Sequence, residues 1–164
     1  MLKKVLKLLL ISVGISLFLC GHIFAEPLNA TPEPDEVETI VIGGEVFYLK
    51  TYITSPEAEE DISAETRGTI TRTKTSNLEN ASGQILISVS VTGTFTYNGS
   101  SATCTSCSGS STSYSSNWVI VGYNVTRSGN RATNHTIAQV KVNNIVQTYH
   151  KEVTITCTAD GTVY

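Results

Sequence analysis

The feature that most limits what this chain can fold into is a period-2 alternation running from Ile85 to Tyr97. Ile85, Ile87, Val89, Val91, Phe95 and Tyr97 share one parity, while Ser88, Ser90, Thr92, Thr94 and Thr96 share the other. Successive side chains of a strand point to opposite faces, so the pattern predicts a strand with one dry and one wet face. At about 3.3 Å per residue the run is longer than most strands, which makes Gly93, in the dry face, the expected place for a bulge or bend. Asn98-Gly99 then supplies a turn whose residues tolerate positive φ.

The neighbouring segments use the same vocabulary. Gly68 to Thr75 alternates Ile and Thr with basic residues, as an exposed or edge strand would. After Asn98-Gly99 a short strand is expected to fade into a Ser/Gly-rich loop ending at Ser116. Trp118 to Val125 is apolar on both parities and predicts a central strand covered on both sides. Further strands are expected at Thr133 to Asn143, at Ile145 to Tyr149 and through Val153 and Ile155 to Cys157, with turns at Ser128-Gly129-Asn130, Asn143-Asn144 and Asp160-Gly161. Helical periodicity is absent. About six to seven strands from Arg67 onward, evenly spaced, predict an all-β fold: an antiparallel β-sandwich, immunoglobulin-like or similar, over residues 67–164.

The N-terminal part has another character. Lys3, Lys4 and Lys7, an apolar run from Leu8 to Leu19 and a small residue at Ala25 read as a secretory signal over residues 1–25. The apolar run falls short of the roughly 20 residues that span a bilayer, so no stable membrane span is expected once the signal is cleaved. Secretion is the expected outcome, with a lipid anchor at Cys20 or an uncleaved membrane anchor as alternatives. Residues 26–66 form an acidic leader with eleven carboxylates against Lys50, whereas from Arg67 onward seven basic residues face three acids. The formal net charge of −3 therefore covers two regions of opposite sign. The leader reads as a solvated tail rather than a docked one. It carries a hairpin signal at Gly43-Gly44 and a helical turn or two over Ser55 to Glu65, with Ser55 as cap and Pro56 in the first position. The basic residues are not clustered, which argues against nucleic acid as a partner.

Beyond the signal the chain keeps Cys104, Cys107 and Cys157, which in an exported protein suggests one disulfide and one remainder. Joining Cys104 or Cys107 to Cys157 closes a long loop and constrains the unfolded chain by about 4 kcal/mol, about twice what the short Cys104 to Cys107 loop gives. Cys157 shares the dry parity of Val153 and Ile155. The expected bridge is Cys104 with Cys157, leaving Cys107 as a free thiol. Cys104-Thr105-Ser106-Cys107 also has the C-x-x-C form, but its Ser/Thr-rich strand context lacks the helix N-terminus that lowers a redox thiol's pKa. A zinc site would need His135 or His150 beside the thiols, and a lone strand histidine is more often a surface residue, so no metal and no cofactor is expected. No nucleophile elbow accompanies Asp160, His150 and His135, so no catalytic residue is assigned. The N-x-S/T triplets at Asn29, Asn80, Asn98, Asn124 and Asn134 arise readily in so Ser/Thr-rich a chain, and no glycosylation is expected at them. Tyr114, in the polar stretch, and Trp118 are the candidate ligand contacts, with core packing as the plainer role for Trp118.

The stretch G-T-F-T-Y-N-G-S-S-A-T-C at 93–104, together with Asn117-Trp118, Ser128-Gly129-Asn130 and T-I-T-C-T-A-D-G at 154–161, resembles small secreted β-domain proteins of Gram-positive bacteria to which no function is assigned. The resemblance covers residues 67–164. It implies that Cys104 and Cys157 are the recurring pair and that Cys107 is a departure, and it brings no activity. The functional expectation is a secreted or cell-surface module with a binding or structural role, its partner a cell-wall glycan or a surface protein. A secreted toxin, antimicrobial or pore-forming protein and a small extracellular hydrolase are the alternatives.

Overall fold

Alternation becomes pairing in the computed structural model, which describes residues 32–55, 67–142 and 144–164. Eight strands follow in order: β1 (Glu36–Ile42), β2 (Glu45–Thr54), β3 (Gly68–Glu79), β4 (Ile85–Tyr97), β5 (Ala102–Ser113), β6 (Trp118–Ser128), β7 (Arg131–Val142) and β8 (Ile145–Thr156). There is no helix among the described residues. β1 to β5 make one antiparallel sheet in chain order and β6 to β8 a second. The dry faces pack together as a β-sandwich, with Phe47, Leu49, Ile70, Val89, Val91 and Phe95 from the first sheet meeting Trp118, Ala138, Val140, Val153 and Ile155 from the second. Every strand pairs with its sequence neighbour except where the chain crosses from β5 to β6. This is a meander, unlike the Greek-key connections of immunoglobulin domains.

From Arg67 the count is six strands, and two more precede it. β1 and β2 turn at Gly43 and Gly44, both at positive φ, and β2 pairs with β3 through Leu49↔Leu78 and Thr51↔Ser76. Glu36–Thr54 is therefore part of the sheet rather than a solvated tail. Phe47, Leu49 and Thr51 share one parity and are buried, which is what attaches so acidic a segment. The expected signal at 1–25 and the expected helical turns, apart from Ser55, lie outside the described residues.

The dry face of β4 is as the alternation predicts, with Ile87, Val89, Val91, Phe95 and Tyr97 buried. The bulge expected at Gly93 lies elsewhere. Gly93 pairs regularly with Arg72 and Cys107, and the register breaks one step on, where Thr94 faces Ser106 and Phe95 faces Cys104, so that Thr105 on β5 is the extra residue. Gly93 instead makes room: a Cβ there would stand 2.5 Å from the Phe95 ring. The Ser/Gly-rich stretch is no loop, since β5 pairs along β4 from Tyr97↔Ala102 to Ile87↔Ser113.

The expectation of a doubly covered strand at Trp118 to Val125 is also corrected. β6 is an edge strand with a register break between Ile120 and Gly122, and Val119, Val121 and Tyr123 are exposed. A bulge reverses parity, so apolar residues on both sides of it give a run that is apolar throughout without being covered on both faces.

Candidate functional site

A meander returns alternate connections to the same end of the molecule, and the functional candidates divide between the two ends accordingly. At one end lie the β1–β2, β3–β4, β5–β6 and β7–β8 connections. At the other lie the β4–β5 and β6–β7 turns, the final turn at Asp160-Gly161, and the cysteines.

The extra residue Thr105 reverses parity between Cys104 and Cys107, so residues three apart both belong to the inner face, opposite Phe95 and Gly93. Cys104 and Cys157 are buried and Cys107 is half-buried, all three as free thiols. Cys104 N–H donates to Gly129 O and Cys157 N–H donates to Asn130 O, so the β6–β7 turn is held between β5 and the residue that follows β8. Burial raises the Cys104 pKa; the neighbouring Cys107 adds to the rise, and the Arg127 guanidinium opposes it. Burial also raises Cys157, helped by Asp160 and Cys104. Cys104 thus stands within electrostatic reach of both other thiols. Arg127 Nη1 donates to the carbonyls of Cys104 and Thr105 and fixes the bulge. No group of three or more His, Cys, Asp or Glu side chains among the described residues is arranged to hold a metal ion.

The opposite end holds a cleft of about 420 Å³. Phe47, Leu86, Trp118, Val140 and Val142 form its apolar floor. The Trp118 ring meets Phe47 and Tyr149 edge to face, at centroid distances of 6.0 Å and 5.8 Å. Glu45, Asn80, Gln84, Ser115, Asn117 and Lys141 make the rim, supplied by the turns gathered at that end. Asn80 is committed to its own turn: its Oδ1 accepts from Ser82 N and Gln84 N, and its Nδ2 donates to Gln84 Oε1 at 3.3 Å. Glu45, Gln84, Asn117 and Lys141 are exposed and present carboxylate, amide and ammonium groups over the floor.

Of the candidate contacts, Trp118 is core, 4% exposed, and reaches a ligand only as floor, whereas Tyr114 is 61% exposed just past β5, its N–H donating to Leu86 O. Gln84, Asn117 and Glu45 carry no mark in the sequence beyond lying next to turns. The meander order, which brings those turns together, is the signal that finds them.

Asp160, His135 and His150 are not gathered into a catalytic group. Asp160 Oδ1 accepts from Thr158 Oγ1 and from Thr162 N at 3.1 Å, and these bonds hold its carboxyl below the ordinary carboxylate value. His135 Nδ1 lies 3.3 Å from Glu152 Oε2. His150 pairs with Ile137 within the three-stranded sheet, and β8 runs on to Thr156 before the turn that holds Asp160 begins, about 20 Å of strand at about 3.3 Å per residue. The chain matches no protein-family model, no curated protein and no solved structure.

Proposed function

We propose that this protein is an exported binding module whose Trp118-floored cleft takes a segment of a neutral polar polymer, a cell-wall glycan. One observation carries the reading: four connections distant in sequence converge to set the Gln84 and Asn117 amides, Glu45 and Lys141 around a floor of Phe47, Leu86, Trp118, Val140 and Val142. Sugars present hydroxyls with small apolar patches between them, and this cleft offers a mostly polar lining over a small apolar floor. The Asn117 amide offers a donor and an acceptor, and the Gln84 amide, whose Oε1 accepts from Asn80, keeps its N–H donors, which suits a hydroxyl-rich ligand better than a charged one. Export rests on the signal-like residues 1–25, and the scatter of Asp160, His135 and His150 gives a hydrolase no support.

The test is retention of the protein on purified cell-wall glycan, with soluble oligosaccharides as competitors. Gln84→Ala with Asn117→Ala, both exposed, is expected to weaken retention by about tenfold or more while leaving the melting temperature unchanged. Retention unaffected by the double substitution would remove the cleft from the reading, and absence of any retention would remove the glycan.

A further inference from the structure

The sandwich carries charge where its own pattern calls for apolar side chains. On β3, Lys74 shares the parity of Ile70, Ser76 and Leu78, all buried. On β8, Lys151 shares the parity of Val153 and Ile155. On β1, at the edge of the sheet, Glu36 and Glu38 are exposed and stand opposite Thr51 and Leu49, which face the core. These groups meet along the open side of the sandwich, between β1 and β8, where they line a cleft of about 320 Å³ with Thr51 and Ser76. Glu152 and Thr154 close it from β8.

A charge drawn into the space between two sheets needs a partner, because desolvation opposes it. Among the described residues neither Lys74 nor Lys151 forms an ion pair; the pairs present are Lys50 with Glu79 at 2.6 Å and His135 with Glu152. Burial lowers the Lys151 pKa; Glu38 and Glu36 oppose the fall, and Lys74 adds to it. Two ammonium groups that repel each other thus share one cleft, with carboxylates on its β1 wall. The hydroxyls of Thr51 and Ser76 lie 3.3 Å apart on the β2–β3 wall.

A simple anion would settle the lysines but face the carboxylates, and a simple cation would meet the reverse. A small molecule carrying both charges satisfies both walls. The volume is at the small end of the roughly 300–1,000 Å³ usual for ligand sites, which fits one or two amino-acid residues. We propose that this lateral cleft binds a short zwitterionic peptide, its carboxylate between Lys74 and Lys151 and its ammonium against Glu36 and Glu38. The site shares no residue with the Trp118 cleft and does not depend on the glycan reading.

The experiment is an amide-resolved NMR titration of the protein with L-alanyl-L-alanine at neutral pH, run beside N-acetyl-L-alanyl-L-alanine, L-alanyl-L-alaninamide and inorganic phosphate. The free dipeptide is expected to shift amides of β1, β3 and β8 around Glu38, Lys74 and Lys151 and to leave Gln84 and Asn117 unmoved. Each blocked dipeptide should bind at least about tenfold more weakly, the loss expected from one charge-assisted hydrogen bond. Lys151→Met keeps the apolar stem and should abolish the response. No shift at these amides, equal binding of the blocked forms, or phosphate binding as well as the dipeptide would each overturn the proposal. The blocked dipeptides decide the matter on the unaltered protein even where the substitution fails to fold.

Discussion

Cys104 is the residue on which the thiol end turns. The extra residue Thr105 brings Cys104 and Cys107 to one face, and Cys104 lies near enough to Cys157 to add to the rise of its pKa. Of the two bridges open to Cys104 in the sequence, the one to Cys157 closes the longer loop, worth about 4 kcal/mol in the unfolded-chain account. Non-reducing peptide mapping of the oxidised protein is expected to find Cys104 joined to Cys157. Cys107→Ser should leave that bridge intact, and Cys157→Ser should move it to Cys104 with Cys107; a Cys104 to Cys107 bridge in the unaltered protein would reverse this preference. Asn134 is a second decisive residue. It is fully buried, its Nδ2 donating to Ser90 O at 2.8 Å and Ser110 O at 3.1 Å, so one amide ties β7 to the β4–β5 pair. Gly109 leaves space for it, since a Cβ there would lie 3.2 Å from Asn134 Nδ2 and 2.5 Å from its acceptor Ser90 O. Asn134→Leu removes the donor to both carbonyls and is expected to cost about 2–3 kcal/mol in urea unfolding, near the upper end for a lost buried hydrogen bond. A loss below about 0.5 kcal/mol would mean that water replaces the amide.

At the scale of elements, the β1–β2 hairpin decides where the folding unit begins. It covers β3, which would otherwise be a long raw edge, and it contributes Phe47 and Leu49 to the core. A chain starting at Arg67 is expected to aggregate or to lose cooperative unfolding, and Phe47→Ala in the full protein to cost about 3–5 kcal/mol. Cooperative melting of the 67–164 chain at the full protein's temperature would show the hairpin to be an appendage. The same hairpin marks a limit of sequence reading. In β4 the pattern was plain because period and polarity coincide over its length. In β2 the alternation of Phe47, Leu49 and Thr51 is equally regular, but eleven surrounding carboxylates suggest solvent, and charge says nothing about which backbone a strand will pair with. β5 was unreadable for another reason: its strand state comes from pairing with β4, while its composition is that of a loop. β6 misled because a bulge reverses parity and no residue type announces one there. The Trp118 floor was legible as core, but the rim was not, because Gln84 and Asn117 become neighbours only through the order of the strands.

For the molecule as a whole, the buried titratable groups set how stability responds to alkali. Burial raises the pKa of Cys104 and of Cys157, and pushes Tyr149 up to about 12 with Glu38 adding to the effect. Lys50 is raised as well, chiefly by its hydrogen bond to Glu79. In each case the folded protein holds the proton more tightly than the unfolded chain does. Their contribution is complete at pH values below the ordinary thiol value of about 8.5 and is lost as pH climbs through the raised folded values, because the unfolded chain ionises first. Lys151 runs the other way, its lowered pKa making the folded state easier to discharge, so it offsets part of the fall. For the two thiols and Tyr149 each net proton contributes a slope of about 1.4 kcal/mol per pH unit at most, and the solvent-exposed ammonium of Lys50 is left out of that figure. With reductant present, urea unfolding is expected to show stability level up to about pH 8.5 and declining steadily beyond it. The oxidised protein has no Cys104 or Cys157 thiol to titrate, so its decline should begin later, near the ordinary tyrosine and lysine values of about 10. The gap between the two profiles reports the bridge without peptide chemistry. Coincident profiles with and without reductant would mean that Cys104 and Cys157 are not joined in the oxidised protein, and a flat profile up to pH 11 would mean that burial at the thiol end does not hold these protons.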